Sequence, residues 1–298
     1  MDSKPPRHFL TRFAPSPTGY LHIGHAAALL EVWKDADQNP DHFLLRIEDI
    51  DSTRCRPEFE ASILEDLAWL GIKTSHPVRR QSDHFTEYKQ ILDLLEEKEL
   101  IYPCFCTRKE IKLEIGNAPS APHGETGYIY PGTCKHLHIS ERTEKILSGH
   151  PYALRLDLDH CLKNLERRSL KWYDTIKGWQ FTTPELLIKT HGDVVLARKD
   201  TPASYHLCVT HDDSLQHVTH ITRGKDLFHS THIHRLLQEI LGYDTPSYHH
   251  HPLMTDNTGR RFAKRDKSLA LRDIRKKGIS GAQLKNMILH SNIDELLI

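Results

Sequence analysis

The chain has 298 residues, 38% hydrophobic and 27% charged, with 40 Lys plus Arg against 40 Asp plus Glu. That composition suits one large or two smaller globular domains and excludes a disordered chain, while the zero net charge points to no particular partner. No apolar stretch reaches the length a bilayer demands, and the start, M-D-S-K-P-P-R-H, lacks the apolar core of a secretion signal, so a cytoplasmic protein is expected.

The alternating segment His8–Phe13 reads as a strand, and Pro15, Pro17 and Gly19 then forbid regular structure. An apolar run from Ile23 through Trp33 reads as a helix whose first turn carries His22 and His25 on one face. Free backbone N–H groups and the positive end of the helix dipole make that turn a seat for phosphate. Gly24 between the histidines lets a nucleotide approach the backbone closely. A helix start that happens to hold two of the 23 histidines is the bland alternative, but it does not explain the full string R-F-A-P-S-P-T-G-Y-L-H-I-G-H from Arg12 to His25. Asp41–Ile47 reads as a buried strand ending in the acidic run Glu48–Asp51, where open α/β sheets place their ligands. Ser52 and Thr53 precede Pro57, and helices follow over Phe59–Leu70 and His84–Lys98. Strand, helix, strand, helix predicts a doubly wound parallel sheet of the Rossmann type, and Ile101-Tyr-Pro looks like the exit from it.

Cysteines are sparse at six, which does not suggest a secreted disulfide scaffold and makes a cluster a metal candidate. Cys104-Phe-Cys106 and the later Tyr130-Pro-Gly-Thr-Cys134 supply three thiols on two short loops, most of a closed tetrahedral structural zinc site. Tyr130, His123, His136 and His138 are all near enough to be the fourth ligand, and chemistry alone favours a histidine over a phenol. The alternative is three buried thiols without a metal. Tyr152–Leu156 reads as a strand, and the sheet is expected to resume at Asp193–Leu196.

Tyr205–Asp213 is helix-like, His217–Arg223 reads as a strand opening into a loop, and Phe228–Leu241 as another helix. The three histidines His249–His251, if in a strand, point alternately to opposite faces and are read as structural. Between Gly259 and Gly278 nine Lys or Arg face Asp266 and Asp273, a local positive patch suited to nucleotide or nucleic-acid phosphate, or simply a solvated basic face.

The H-I-G-H string after R-F-A-P-S-P-T-G resembles the first signature of the class I aminoacyl-tRNA synthetases, in their glutamyl and glutaminyl branch. Arg260-Arg-Phe-Ala-Lys264-Arg265 is similar to the K-M-S-K-S loop of that class, with Arg261 for the first lysine, Ala263 for the serine and Lys264 kept. The resemblance implies ATP held by His22, Gly24, His25, Arg261 and Lys264, with His22, His25 and Lys264 as the catalytic set and Mg²⁺ on the phosphates. It implies L-glutamate held by Arg12, Ala14, Ser16, Glu48, Tyr205 and Arg223, with Glu48 on the ammonium and both arginines on the carboxylates. An ion pair with Asp226 is the structural alternative for Arg223. Lys171–Gly178 resembles the D-x-I-x-G stretch of the domain that glutamyl-type enzymes insert into the nucleotide fold. The expected layout is therefore 1–101 and 192–245 as the halves of the catalytic domain, 102–191 as an inserted zinc-containing α+β domain, and 246–298 as a short helical, stem-contact-like segment with the K-M-S-K-S-like loop.

Only 34 residues follow Lys264, too few for the helical anticodon-binding region of full glutamyl-tRNA synthetases. The short glutamyl-queuosine tRNA(Asp) relatives are similar along the whole chain, and they imply Tyr130 as the fourth zinc ligand beside Cys104, Cys106 and Cys134. Val209 also fits them better than it fits the longer enzymes. They imply transfer of glutamate to the queuosine base of tRNA(Asp), by a monomer. A minimal glutamyl-tRNA synthetase and a non-catalytic RNA-binding remnant are the competing expectations.

Overall fold

A computed structural model describes residues 9–117, 123–124, 127–167, 169–254 and 270–290 of the chain. Strand β1 (Thr11–Phe13) leads through a proline-rich loop into helix α1 (Ile23–Asp35). Ile23, Ala26, Leu29, Val32 and Trp33 are buried, one apolar stripe at helical spacing. Strand β2 (Phe43–Ile47) follows, all five residues buried, as expected of a strand covered on both faces. Helix α2 (Pro57–Trp69) opens on a proline that cannot serve further inside a helix, and strand β3 (Arg79–Arg80) and helix α3 (Phe85–Glu97) complete the first half. β1, β2 and β3 pair in parallel in that order.

Strand β4 (Ile101–Cys104) then enters a region of short elements. They are helix α4 (Arg108–Asn117), the pair β5 (His123–Gly124) and β6 (Gly127–Tyr128), helix α5 (Ile139–Leu147), strand β7 (Ala153–Leu156) and helix α6 (Leu158–Lys163). A hairpin of β8 (Leu170–Asp174) and β9 (Gly178–Thr182), helix α7 (Pro184–Thr190) and strand β10 (Val195–Ala197) finish it. The second half is helix α8 (Tyr205–Leu215), strand β11 (His220–Gly224), helix α9 (Ser230–Leu241) and strand β12 (Ser247–His251), followed after the described gap by α10 (Leu271–Lys276) and α11 (Gly281–Leu289). β11, β12 and β8 pair in parallel, with β9 antiparallel at the edge. This sheet meets the first where the Leu10 carbonyl accepts from the Thr219 and His220 amides. The expected parallel sheet with helices is present.

Two strands lie elsewhere than expected. Residues 193–197 do not resume the parallel sheet: β10 pairs antiparallel with β7, which pairs antiparallel with β4. Asp193 explains this, since its carboxylate accepts from the Tyr102 hydroxyl at 2.6 Å and the Leu158 amide at 2.9 Å, both inside the small sheet. Ile101-Tyr-Pro, read as the exit from the parallel sheet, is the first strand of that small sheet. Conversely β8, placed in the insertion by sequence, joins the main sheet. Its Trp172 is wholly buried against Phe228 and Tyr248, and its Asp174 bonds His250 on β12.

The end of the chain returns to the first half. Leu271, Ile274 and Leu284 join the core of α1, α2, β1 and β2, and the Leu271 amide donates to the Leu21 carbonyl. A side chain at Gly281 would fall on the Trp69 carbonyl, so the start of α11 can lie against the end of α2 only as glycine.

Candidate active site

The strand order reverses between β1 and β11, and open α/β sheets bind ligands at that crevice. A cavity of about 520 Å³ lies there, and Arg12, Ala14, Ser16, His22, Gly24, His25, Glu48, Tyr205 and Arg223 all line it. Nine residues drawn from five segments of sequence thus converge. Arg261 and Lys264 lie outside the described residues. The described residues on either side of them both sit at this cavity: Met254 lines it, and Ala270 forms a β-bridge with His22.

His22 is the N-cap of α1 and not part of its first turn. Its Nδ1 accepts from the Gly24 amide at 3.1 Å, and the His25 Nδ1 accepts from the His22 amide at 3.1 Å. Two imidazoles therefore do the work of a capping box. With each Nδ1 accepting, the proton of each neutral ring belongs on Nε2, a donor suited to phosphate oxygen.

Arg12 and Arg223 stand in different surroundings. Arg12 Nε donates to Asp213 Oδ1 at 2.9 Å, and Arg46 Nη1 donates to the same oxygen at 2.8 Å. Arg46 is wholly buried and also reaches Glu48 at 3.3 Å and Asp212 at 3.8 Å. Asp212 in turn accepts from Arg79, Gln81 and Tyr88. Burial pushes the Glu48 carboxyl up to about 6, against the pull of Arg46 and Arg12. The same two arginines hold Asp213 below its usual range despite burial.

Arg223 instead donates to neutral acceptors: His250 Nε2 at 3.1 Å, the Tyr205 hydroxyl at 3.4 Å, His234 Nδ1 at 3.3 Å and the Thr231 hydroxyl at 2.6 Å. Among the described residues no carboxylate pairs with it, Asp226 included. Burial and the guanidinium itself push His250 down to about 4 and His234 well below its usual value. His250 is kept in one tautomer because its Nδ1–H donates to Asp174 at 2.7 Å, leaving Nε2 to accept. Neutral acceptors fix the guanidinium without cancelling its charge.

The three adjacent histidines do alternate: His249 reaches Asp35 on α1, while His250 holds Arg223. Sequence reading missed the supporting groups Arg46, Asp212, Asp213, Thr231 and His234. Two adjacent aspartates closing an apolar helix were the available signal.

Cys104, Cys106 and Cys134 form the second cluster, with all three sulfurs within 4.8 Å of one another. Tetrahedral zinc thiolates stand about 3.8 Å apart, so the set fits that ion. Cys106 Sγ lies 3.3 Å from Cys134 Sγ and 3.5 Å from the Tyr130 hydroxyl, and the Cys134 amide donates to that hydroxyl at 2.8 Å. Among the described residues no histidine joins the three sulfurs, and no other group of three or more His, Cys, Asp or Glu side chains is gathered closely enough to hold a metal.

The chain matches the family of class I tRNA synthetases (E and Q), catalytic domain, over residues 8–291. It belongs to that family. The glutamyl-Q tRNA(Asp) synthetase of Rhodobacter capsulatus is 44% identical over 94% of this chain and 99% of its own length. The glutamate–tRNA ligase of Aquifex aeolicus is 35% identical over 93% of this chain but 56% of its own. A crystal structure of a glutamate tRNA ligase from Elizabethkingia meningosepticum in complex with its amino acid superposes with a TM-score of 0.70 at 27% identity. It covers 87% of this chain, which spans about half, 52%, of that ligase. The H-I-G-H resemblance and the family therefore agree.

No helix among the described residues is long and apolar enough to cross a membrane.

Proposed function

We propose that the protein activates L-glutamate with ATP and transfers it to the queuosine base at the first anticodon position of tRNA(Asp). The observation that carries the first step is one cavity holding a phosphate-type helix start, a carboxylate and a buried guanidinium that pairs with no carboxylate among the described residues. Glutamate offers the complement, an ammonium and two carboxylates. Glu48, at its edge of ionisation near 6, takes the ammonium. Arg223 takes one carboxylate, with Tyr205 beside it, and the outer edge of Arg12 faces the other. Glutamine would leave a buried cation partly unsatisfied, and such a site rejects it strongly.

In the first step a glutamate carboxylate oxygen attacks the α-phosphorus of ATP, a P–O bond forms, and pyrophosphate departs. Charge builds on phosphoryl oxygens, so fixed donors aimed at them supply the catalysis. The Nε2–H groups of His22 and His25 and the helix start serve there, and Arg261 and Lys264 neutralise the leaving group. Mg²⁺ arrives with ATP as part of the substrate. In the second step an acceptor hydroxyl attacks the activated carbonyl, and AMP leaves.

The queuosine acceptor is favoured over an ordinary tRNA end by the Rhodobacter relative, whose whole length this chain matches and whose name specifies tRNA(Asp). Zinc held by Cys104, Cys106, Cys134 and Tyr130 would cross-link the end of β4 to the turn before α5, a structural role. Glutamate-dependent ATP–pyrophosphate exchange tests the activation step. It is expected with glutamate and at least a hundredfold weaker with glutamine. No exchange, with or without tRNA, leaves a binding protein as the better account.

A further inference from the structure

The β8–β9 hairpin carries an aromatic face that nothing in the proposed chemistry uses. Cross-strand register sets Lys171 opposite Phe181 and Tyr173 opposite Trp179, all on the side away from buried Leu170, Trp172 and Asp174. Phe181 and Trp179 are each 57% exposed, Tyr173 39%, and Ile176 at the turn 58%. Four such side chains on one solvent-facing hairpin are too many to be scattered surface residues. The rings are already organised, with Tyr173 edge-on to Trp179 at 5.3 Å and the Lys171 ammonium 4.9 Å from the centre of the Trp179 ring.

Two observations choose the occupant. Within residues 170–182 the exposed charges are Lys171 and Lys177, while the one acid, Asp174, is buried on His250. Exposed rings interleaved with cations and free of carboxylates suit a polyanion with flat faces, which is unpaired RNA. The hairpin is also continuous with the active-site cavity. Lys177 packs on the Phe228 ring at 3.9 Å, and the preceding residue, Leu227, lines the cavity.

We infer that this face is a stacking platform for unpaired anticodon-loop nucleotides beside the base that reacts. The inference rests on the proposed tRNA substrate and adds to it the surface that grips the loop. Trp179 and Phe181 are two residues apart on one strand face, about 6.8 Å, so each presents its own ring to a separate base. Lys171, its ammonium already beside the Trp179 ring, meets the phosphate between them.

The test is binding of a fluorescently labelled tRNA(Asp) anticodon stem-loop to the full protein, followed by anisotropy. Trp179→Ala and Phe181→Ala are each expected to raise Kd about tenfold, and Trp179→Phe to keep most of the affinity. Pyrophosphate exchange at saturating RNA is expected to match the parent in all three, which shows an intact fold and cavity. Affinities within twofold of the parent for both alanine variants overturn the inference. So does loss of self-association in Trp179→Ala by sedimentation with RNA affinity unchanged, which assigns the face to a second copy. Failure of the parent to transfer glutamate to tRNA(Asp) would sink the functional reading, whereas a stem-loop affinity that still depends on Trp179 would leave the platform standing.

Discussion

Arg12 and Arg223 enter one cavity from the two halves of the sheet, yet they are held in opposite ways. On the first side, charge answers charge: Arg12, Arg46 and Arg79 are laced to Asp212, Asp213 and Glu48. On the second, Tyr205, Thr231, His234 and His250 hold Arg223 with no formal charge among them. A compensated arginine chiefly braces the site, because its field is already cancelled and removing its partner strands a buried charge. An uncompensated one keeps its field for whatever enters. The same residue type therefore chiefly braces one wall, where only the outer edge of Arg12 is left for substrate, and chiefly recognises substrate on the other.

The contrast can be broken at either wall. The largest effect is expected from Arg223→Leu, which should lower kcat/KM for glutamate in pyrophosphate exchange by about a hundredfold or more, with Tm moving by less than about 2 °C. An effect below tenfold would transfer carboxylate recognition to Arg12. Asp213→Asn reverses the pattern. It strands Arg12 and leaves Arg46 to Glu48 and Asp212, and is expected to cost about 3 kcal/mol and so lower Tm by about 6 °C, read by thermal melting. An unchanged Tm would mean that the charge network contributes little.

Glu48 predicts a pH dependence between the two walls. Its carboxyl, raised to about 6, is ionised above that pH and loses the substrate ammonium below it, so KM for glutamate should climb as pH falls through 6. The climb approaches tenfold per pH unit, and Glu48→Gln should raise KM and flatten the limb. A limb that persists in that variant belongs to another group. The smallest effect is expected from His234→Phe. It removes one neutral acceptor from Arg223 and should raise KM for glutamate about fivefold with kcat little changed. Unchanged KM would show that Thr231 and His250 suffice.

Much of this site was legible because its residues sit in a local grammar of strand end, proline loop and helix start. Arg12, His22, His25 and Glu48 could be placed from that alone, and Tyr205 and Arg223 from their likeness to a family. What supports them was not legible. Asp213 reaches Arg12 across 201 residues of sequence, and His250 reaches Arg223 across 27, so nothing local marks either pair. The sheet that residues 195–197 join was equally hidden. Val195–Ala197 is as apolar as any parallel strand, and only the Asp193 hydrogen bonds to Tyr102 and Leu158 decide which sheet it joins. The cysteine cluster was visible by spacing, but its fourth neighbour was not. Tyr130 is brought to the sulfurs by the turn that bonds its hydroxyl to the Cys134 amide.

The most direct test of the central claim is transfer of labelled glutamate to three RNAs in parallel: queuosine-containing tRNA(Asp), the same tRNA without queuosine, and tRNA(Glu). The account predicts label on the first alone. Label on tRNA(Glu), at its terminal adenosine, would contradict it and make the protein a minimal glutamyl-tRNA synthetase.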